Sequence, residues 1–489
     1  MLTPAEELGL SGMSLSGRVR ATFASLGPAE LKDLCGQIRD ECQARHVIYL
    51  REGNSEAIRL LPVPITMLPE QSGYLHYVSL TIHNALKRLP DLYMQDFHVR
   101  QTLRLTEPEE RWLLDAWGPS HQESNPIFGR LDAVVDFSSP MWKNSLHFVE
   151  PNMSGIGGLH LVPTSEQIIQ KVVFPFLQRF DSRLQLETGP DIRELLVQDI
   201  LDHLEAIGRQ AKTVCFVEPR FATSGIDEQE DVAKFFYQRH GLQVLHADPR
   251  ELSIHKGEVC FEGIPIDVVY RDYSVLDLLD LERQGHDVRP MRQLFRENRV
   301  VSSIAAELDQ KACWEVLTDR NIVQKFFSAE ERQVFRRHIL WTRVISDRAT
   351  CLPDGHVDDL LEYIRRERET LVIKPNRSYG GEGVHIGLAT SEADWDDVIQ
   401  QGVNSPGEWV VQQLASIPVN EFPVIGEDGQ AHFEPFYLVM GFAPTQYGVA
   451  IMGRASQKQV VNVAQRGGLC AIAIGRPPAR LVGPEGVLN

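Results

Sequence analysis

Apolar residues recur at helical spacing through much of the first 125 positions. Leu31, Leu34, Ile38 and Cys42 form one stripe after Pro28, and Leu80, Ile82, Leu86 and Leu89 form a looser one. Residues 107–117 open on Glu-Pro-Glu-Glu, which suits a helix N-terminus. From Ile127 the pattern changes. Residues 131–137 and 145–150 read as short strands with acidic residues where the apolar run alternates or ends, and a Gly-rich turn follows at 154–158. A helix is predicted over 191–207, with Ile192, Leu195, Leu196, Ile200 and Leu204 on one face. Strand 213–218, a helix near 231–240 and strand 242–246 then predict a parallel pair joined by a right-handed crossover. Residues 259–270 read as a hairpin turning at Gly263. In the last third, helices are predicted at 306–317 and 357–369. Strands are predicted at 371–374, 384–386, 409–413, 434–440, 448–452 and 460–463, with a hairpin turn at 427–430.

This order divides the chain into four parts. Residues 1–125 form a mainly helical region. Residues 126–189 carry two acidic strands. Residues 190–300 form a small open α/β domain, and 301–489 hold mixed α+β lobes. The length of 489 residues fits several such units.

Charge narrows the function. The chain has 49 Lys and Arg against 67 Asp and Glu, net −18, which argues against nucleic-acid and anionic-membrane partners. The last 49 residues run the other way. Arg454, Lys458, Arg466, Arg476 and Arg480 face a single Glu485, a basic segment suited to an anionic ligand. Seven scattered Cys without a CxxC pair support neither a zinc ribbon nor a disulfide framework, and a cytoplasmic setting is expected. The N-terminus lacks a signal-peptide pattern, and no run reaches the roughly 18 apolar residues of a membrane span. Cys215, Cys260, Trp314 and Trp341 read as core, and the 16 His contain no HExxH pair.

Three elements carry candidate chemistry. A strand ends at Lys374-Pro375, and Gly380, Gly381 and Gly383 follow. Glycines there let backbone N–H groups converge on an anion, with Lys374 as a point charge, although a plain Gly-rich hairpin has the same look. This is neither a Walker A loop nor a dinucleotide fingerprint. Arg130-Leu-Asp132 and Glu150-Pro-Asn152 place hard oxygens at strand ends, suited to Mg²⁺ or to ordinary loop polarity. Arg454 and Asn462 lie in the basic segment.

Together these residues resemble the ATP-grasp ligases in circularly permuted form, with the glutathionylspermidine synthase-like carboxylate–amine ligases as the best-known branch. Asp132 and Glu150-x-Asn152 come first here and the Lys374-Pro375 loop last, so joining the chain's end to its start would restore the family order. Asp267–Arg271, Lys311, Trp341-Thr-Arg343 and the strand 409–413 resemble further family segments, and the likeness runs over about residues 125 to 489. The hinge departs from the family in having Gln412-Gln413 for Gln-Glu, which puts the ribose contact in doubt. Nothing matches the acceptor-binding residues of glutathionylspermidine synthases.

The resemblance implies an α/β fold with α+β lobes: a permuted ATP-grasp core, a small open α/β domain and a helical N-terminal region. It implies an ATP-dependent ligase joining a small-molecule or peptide carboxylate to an amine through an acyl phosphate. ATP and Mg²⁺ are the implied cofactors. Asp132, Glu150 and Asn152 would hold the metal. Lys311 and Lys374 would meet the phosphates under the glycine loop, Gln412, Gln413 and Leu414 would frame the adenine, and Arg454, Arg130 and Lys374 would act in catalysis. A phosphotransferase and a degenerate nucleotide-binding scaffold are the alternatives. Arg220, Arg271 and Arg343 are candidates to pair a substrate carboxylate. The N-terminal region is expected to cap the site or to form a homodimer interface.

Overall fold

The computed structural model describes residues 3–220, 225–226, 228–378, 382–426, 428–458 and 467–476. At its centre is an eight-stranded sheet. Six strands run in the order Leu60–Met67, Gly468–Arg476, Gly448–Ser456, Ala431–Thr445, Arg130–Val134 and His147–Asn152. Val419–Ile425 pairs with Ala431–Thr445, and Gln185–Glu187 with Gly468–Arg476. All pairs are antiparallel except Leu60–Met67, which runs parallel to Gly468–Arg476. Residues 449–453 and 468–475 are buried at every position, so both faces of the sheet are covered. Helices Pro4–Ala24, Pro28–Ala44, Pro69–Lys87, Leu161–Phe180 and Ile192–Ala206 pack on it.

Leu60–Met67 enters this sheet from a region read as mainly helical. Its eight residues are all buried, so it shows no alternation, and Pro62 and Pro64 weaken the strand signal. Both prolines are tolerated because the strand lies at the end of the sheet, where the register with its neighbour is interrupted.

The open α/β domain has the parallel order Val300–Val301, Val268–Arg271, Thr213–Val217, Gln243–Ala247. The hairpin expected over 259–270 forms only in part. Glu258–Phe261 turns at Gly263 into Ile264–Pro265, and Val268–Arg271 then leaves to join the parallel sheet. The helix expected over 306–317 is also broken. A 3₁₀ turn, Ile304–Leu308, precedes helix Cys313–Thr318. Between them the amides of Lys311 and Ala312 donate to the carbonyl and side-chain oxygens of Asn376 (3.1 and 2.8 Å), which draws them out of a helical ladder. Over 357–369, strand Val357–Asp359 comes first, and Asp359 caps helix Leu360–Arg366 by accepting from the Glu362 amide.

A smaller lobe carries an antiparallel sheet in the order Thr342–Val344, Trp409–Gln413, Leu371–Pro375, His385–Ile386. It has its own core, in which Trp341, Leu360, Leu371, Ile373, Trp395 and Val411 pack apart from the main one. The strand expected at 460–463 lies outside the described residues, as does Glu427 of the expected turn. Among the described residues no helix is long and apolar enough to cross a membrane.

Candidate active site

Arg130–Val134 and His147–Asn152 pair so that Asp132 faces Glu150 and Arg130 faces Asn152, with a bulge after Asp132. Arg454 reaches the same place from Gly448–Ser456. Its Nη2 lies 2.7 Å from Asp132 Oδ2, and Arg130 Nε donates to Asp132 Oδ1 at 2.8 Å. Asn152 Nδ2 also donates to Asp132 Oδ2, at 3.2 Å. Burial works against the Asp132 charge, but the two guanidiniums hold its carboxyl well below the usual range. Among the described residues, Arg454 Nε is buried without a hydrogen-bond partner.

His147–Asn152 is the last strand of the large sheet, and the small lobe takes up its exposed edge. The Val149 carbonyl accepts from Trp314 Nε1 at 2.9 Å, Gln412 Nε2 at 3.1 Å and Lys374 Nζ at 3.4 Å. Lys374 is 5 % exposed with no carboxylate in salt-bridge contact among the described residues, and burial brings its ammonium down to about 8, against the opposing pull of Glu150. Lys311 Nζ lies 3.5 Å from Glu150 Oε2 and donates to the Ser378 carbonyl at 2.7 Å.

Four of these groups, Arg130, Glu150, Asn152 and Lys311, line a cavity of about 550 Å³ between the small lobe, the large sheet and the α/β domain, together with Asn376 and Arg377 among others. Burial pushes the Asp309 carboxyl in its wall up to about 6, while Asp309 Oδ2 accepts from the Met153 amide at 2.9 Å. A second cavity of about 560 Å³ shares residues 155–157 and Asp272 with the first. It opens beyond the carboxyl ends of the parallel strands, where ligands of open α/β sheets bind. Glu228 forms part of its wall and accepts from the amides of Gly158, Leu159, His160 and Leu161 (2.8–3.3 Å), which satisfies the start of helix Leu161–Phe180. A larger cavity, about 990 Å³, lies elsewhere, between residues 93–105 and 344–351, away from these cations and carboxylates.

The structure thus brings together Arg130, Asp132, Glu150, Asn152, Lys311, Lys374 and Arg454. It separates their roles more than the sequence does. Asp132 was grouped with the metal ligands, yet its oxygens are taken by Arg130, Arg454 and Asn152. Glu150 and the amide oxygen of Asn152 fit Mg²⁺ better, since this ion needs few protein oxygens when phosphates supply the rest. Among the described residues no group of three or more His, Cys, Asp or Glu is placed to hold a metal. Gln412, expected beside adenine, spends its amide on Val149 and on Thr342 Oγ1 (2.8 Å). Gln413 Oε1 accepts from the Trp341 amide at 3.2 Å, and the Leu414 amide donates to Thr370. Lys311 precedes its helix instead of lying on it. Gly383 adopts φ +69°, and a Cβ there would come 2.9 Å from Pro375 Cγ. Gly380, Gly381, Asn462 and Arg466 lie outside the described residues.

Two of the three candidate carboxylate-binding arginines are structural. Arg271 is fully buried and bonds Glu307 and the carbonyls of Ser302, Ser303 and Tyr273. Arg343 bonds Thr350, Thr318 and the carbonyls of Thr342 and Cys351. Arg220 pairs with Glu251 at 2.9 Å beside the second cavity. Asn376 and Arg377 carry no signature in the sequence, because their partners are distant in the chain. Asn376 Nδ2 donates to Gln310 Oε1 (3.0 Å) and the Gly407 carbonyl (2.8 Å).

The architecture matches a solved structure, a glutathione synthetase-like effector from Globodera pallida in its apo form, with a TM-score of 0.61 at 10% identity over 92% of this chain and 98% of that one. At that identity the likeness is one of fold. The chain is a mixed α/β protein built like a glutathione synthetase-like protein. No family profile and no curated protein sequence matches it.

Proposed function

We propose that the protein is an ATP-dependent carboxylate–amine ligase of the ATP-grasp type, with the family's segments in circularly permuted order. The observation that carries this reading is a cavity between two sheets lined by Lys311, Arg130, Glu150 and Asn152, with Lys374 bonded to Val149 and Arg454 to Asp132 on the strands that form its wall. A phosphoryl group in transfer spreads negative charge over its oxygens, so catalysis needs fixed cations around it. Lys311 and Lys374 meet the nucleotide phosphates. Arg454, anchored through Asp132, contributes its positive charge to the field at the transferred group. Arg130, fixed on Asp132 and on the Gly157 carbonyl (3.4 Å), faces the substrate carboxylate. Glu150 and Asn152 hold Mg²⁺, which neutralises phosphate charge when bound.

The substrate carboxylate attacks the γ-phosphorus, and ADP leaves. An amine then attacks the acyl carbon and releases phosphate. The second cavity, which shares a wall with the first, has room for the substrate body. A cytoplasmic setting belongs to the same reading, and all seven Cys are free thiols. The test is ADP release with pooled carboxylates and hydroxylamine as the amine. A ligase yields hydroxamate. ADP with a stable phosphorylated product would indicate a phosphotransferase, and neither nucleotide binding nor turnover would indicate a scaffold.

A further inference from the structure

Arg377 and Glu109 form a two-pronged ion pair between parts of the chain far apart in sequence. Arg377 Nη2 donates to Glu109 Oε1 at 2.6 Å and Nη1 to Oε2 at 3.1 Å. The Glu109 side chain is fully buried. Glu109 sits in the first turn of helix Glu107–Ala116, and its Oε2 also accepts from the amide and hydroxyl of Thr106 (2.9 and 2.6 Å). The carboxylate is therefore held rigidly on the helical N-terminal region. Arg377 lines the cavity that also holds Lys311, Glu150 and Asn152. It stands three residues after Lys374 and six before Gly383, where the chain enters the glycine-rich segment.

The residues around Arg377 are held from outside their own lobe. Asn376 is tied to Gln310 and Ala312, and the Ser378 carbonyl accepts from Lys311. Arg377 adds a third tie, the one that reaches the N-terminal region. A planar guanidinium paired through both nitrogens is fixed in direction as well as position. We propose that Glu109 is a positioning residue for nucleotide binding, aiming Arg377 at the nucleotide phosphates. This rests on the ligase reading only in taking MgATP as the ligand. It gives the N-terminal helices a part in the site without any contact to substrate.

The test compares MgATP with adenosine, which lacks phosphates, by calorimetry on the full chain. Glu109→Gln keeps an acceptor for Thr106 and removes the charge. It is expected to weaken MgATP by about tenfold or more, as small misplacements of aligned groups do, while adenosine binds as in the wild type. Arg377→Met weakens MgATP likewise, and the double variant is no weaker than Arg377→Met alone. Should Glu109→Gln fail to fold, Arg377→Lys, which keeps a cation and loses the fork, is read in the same way. Wild-type MgATP affinity in the variants, equal losses for MgATP and adenosine, or multiplying effects in the double variant would overturn the proposal and leave the ligase reading standing. A wild type that binds no MgATP would sink both.

Discussion

Lys374 of the small lobe places its ammonium 3.4 Å from the carbonyl of Val149, on the edge strand of the large sheet. Gln412 and Trp314 share that carbonyl, so one backbone oxygen between Phe148 and Glu150 fastens the small lobe to the strand that carries Glu150. The contact leaves Lys374 with a neutral partner and a lowered affinity for its proton.

That environment sets a pH dependence. Burial of Lys374 disfavours its charged form, so the free protein loses this charge as pH rises through about 8. MgATP affinity should be level below that pH and fall above it, by at most about tenfold per pH unit. Lys374→Arg keeps its charge throughout and should flatten the profile. Titration of MgATP affinity from pH 6 to 10 on both proteins checks this, and a wild-type profile level to pH 10 would refute it.

Asp132 and Glu150 face each other across two strands and should answer mutation in opposite ways. Asp132→Asn strands Arg130 and Arg454, both largely buried, and should cost about 3–5 kcal/mol of stability, as broken buried pairs do. Glu150, about a third exposed, should tolerate Gln with an unchanged melting temperature and lose ATP turnover by about 10²–10³-fold. Thermal melts alongside ADP release separate the two, and equal melting losses would contradict this division.

The Asp132 pairing also contributes to acid stability. A carboxyl held below its unfolded value stabilises the fold above that value and loses the contribution as pH falls through the folded one. Wild-type stability should therefore drop more steeply below pH 4 than that of Asp132→Asn. Chemical denaturation at pH 3, 4 and 6 measures the difference, and parallel curves would contradict it.

Gly383→Ala meets two obstacles, the left-handed backbone and Pro375. It should cost about 1–2 kcal/mol locally and raise KM for ATP more than it lowers the melting temperature. Steady-state kinetics with varied ATP decide this, and an unchanged KM would place the glycine outside nucleotide binding.

The strand-borne residues were legible in the sequence because Glu150 and Lys374 each end a short apolar run and Asp132 interrupts one. Their division of labour was not legible. Whether Asp132 meets a metal or two arginines depends on where residues 448–456 lie, more than 300 positions later. The Val149 carbonyl carries no side-chain signature at all, and Glu109 looks like any acidic residue in a helix's first turn until Arg377, 268 residues away, is brought to it. Backbone oxygens and long-range partners are fixed by tertiary packing, which periodicity does not record.

The strand Leu60–Met67 finds its sheet partner in Gly468–Arg476, about 400 residues later in the chain. On a ribosome adding about 5–20 residues per second, that interval is roughly 20–80 s. Through that time a strand apolar at every position but Thr66 has only the helices around it for cover. The prolines at positions 62 and 64 then serve the nascent chain as well as the finished one, since a strand lacking two amide donors is a poor template for pairing with a neighbouring polypeptide.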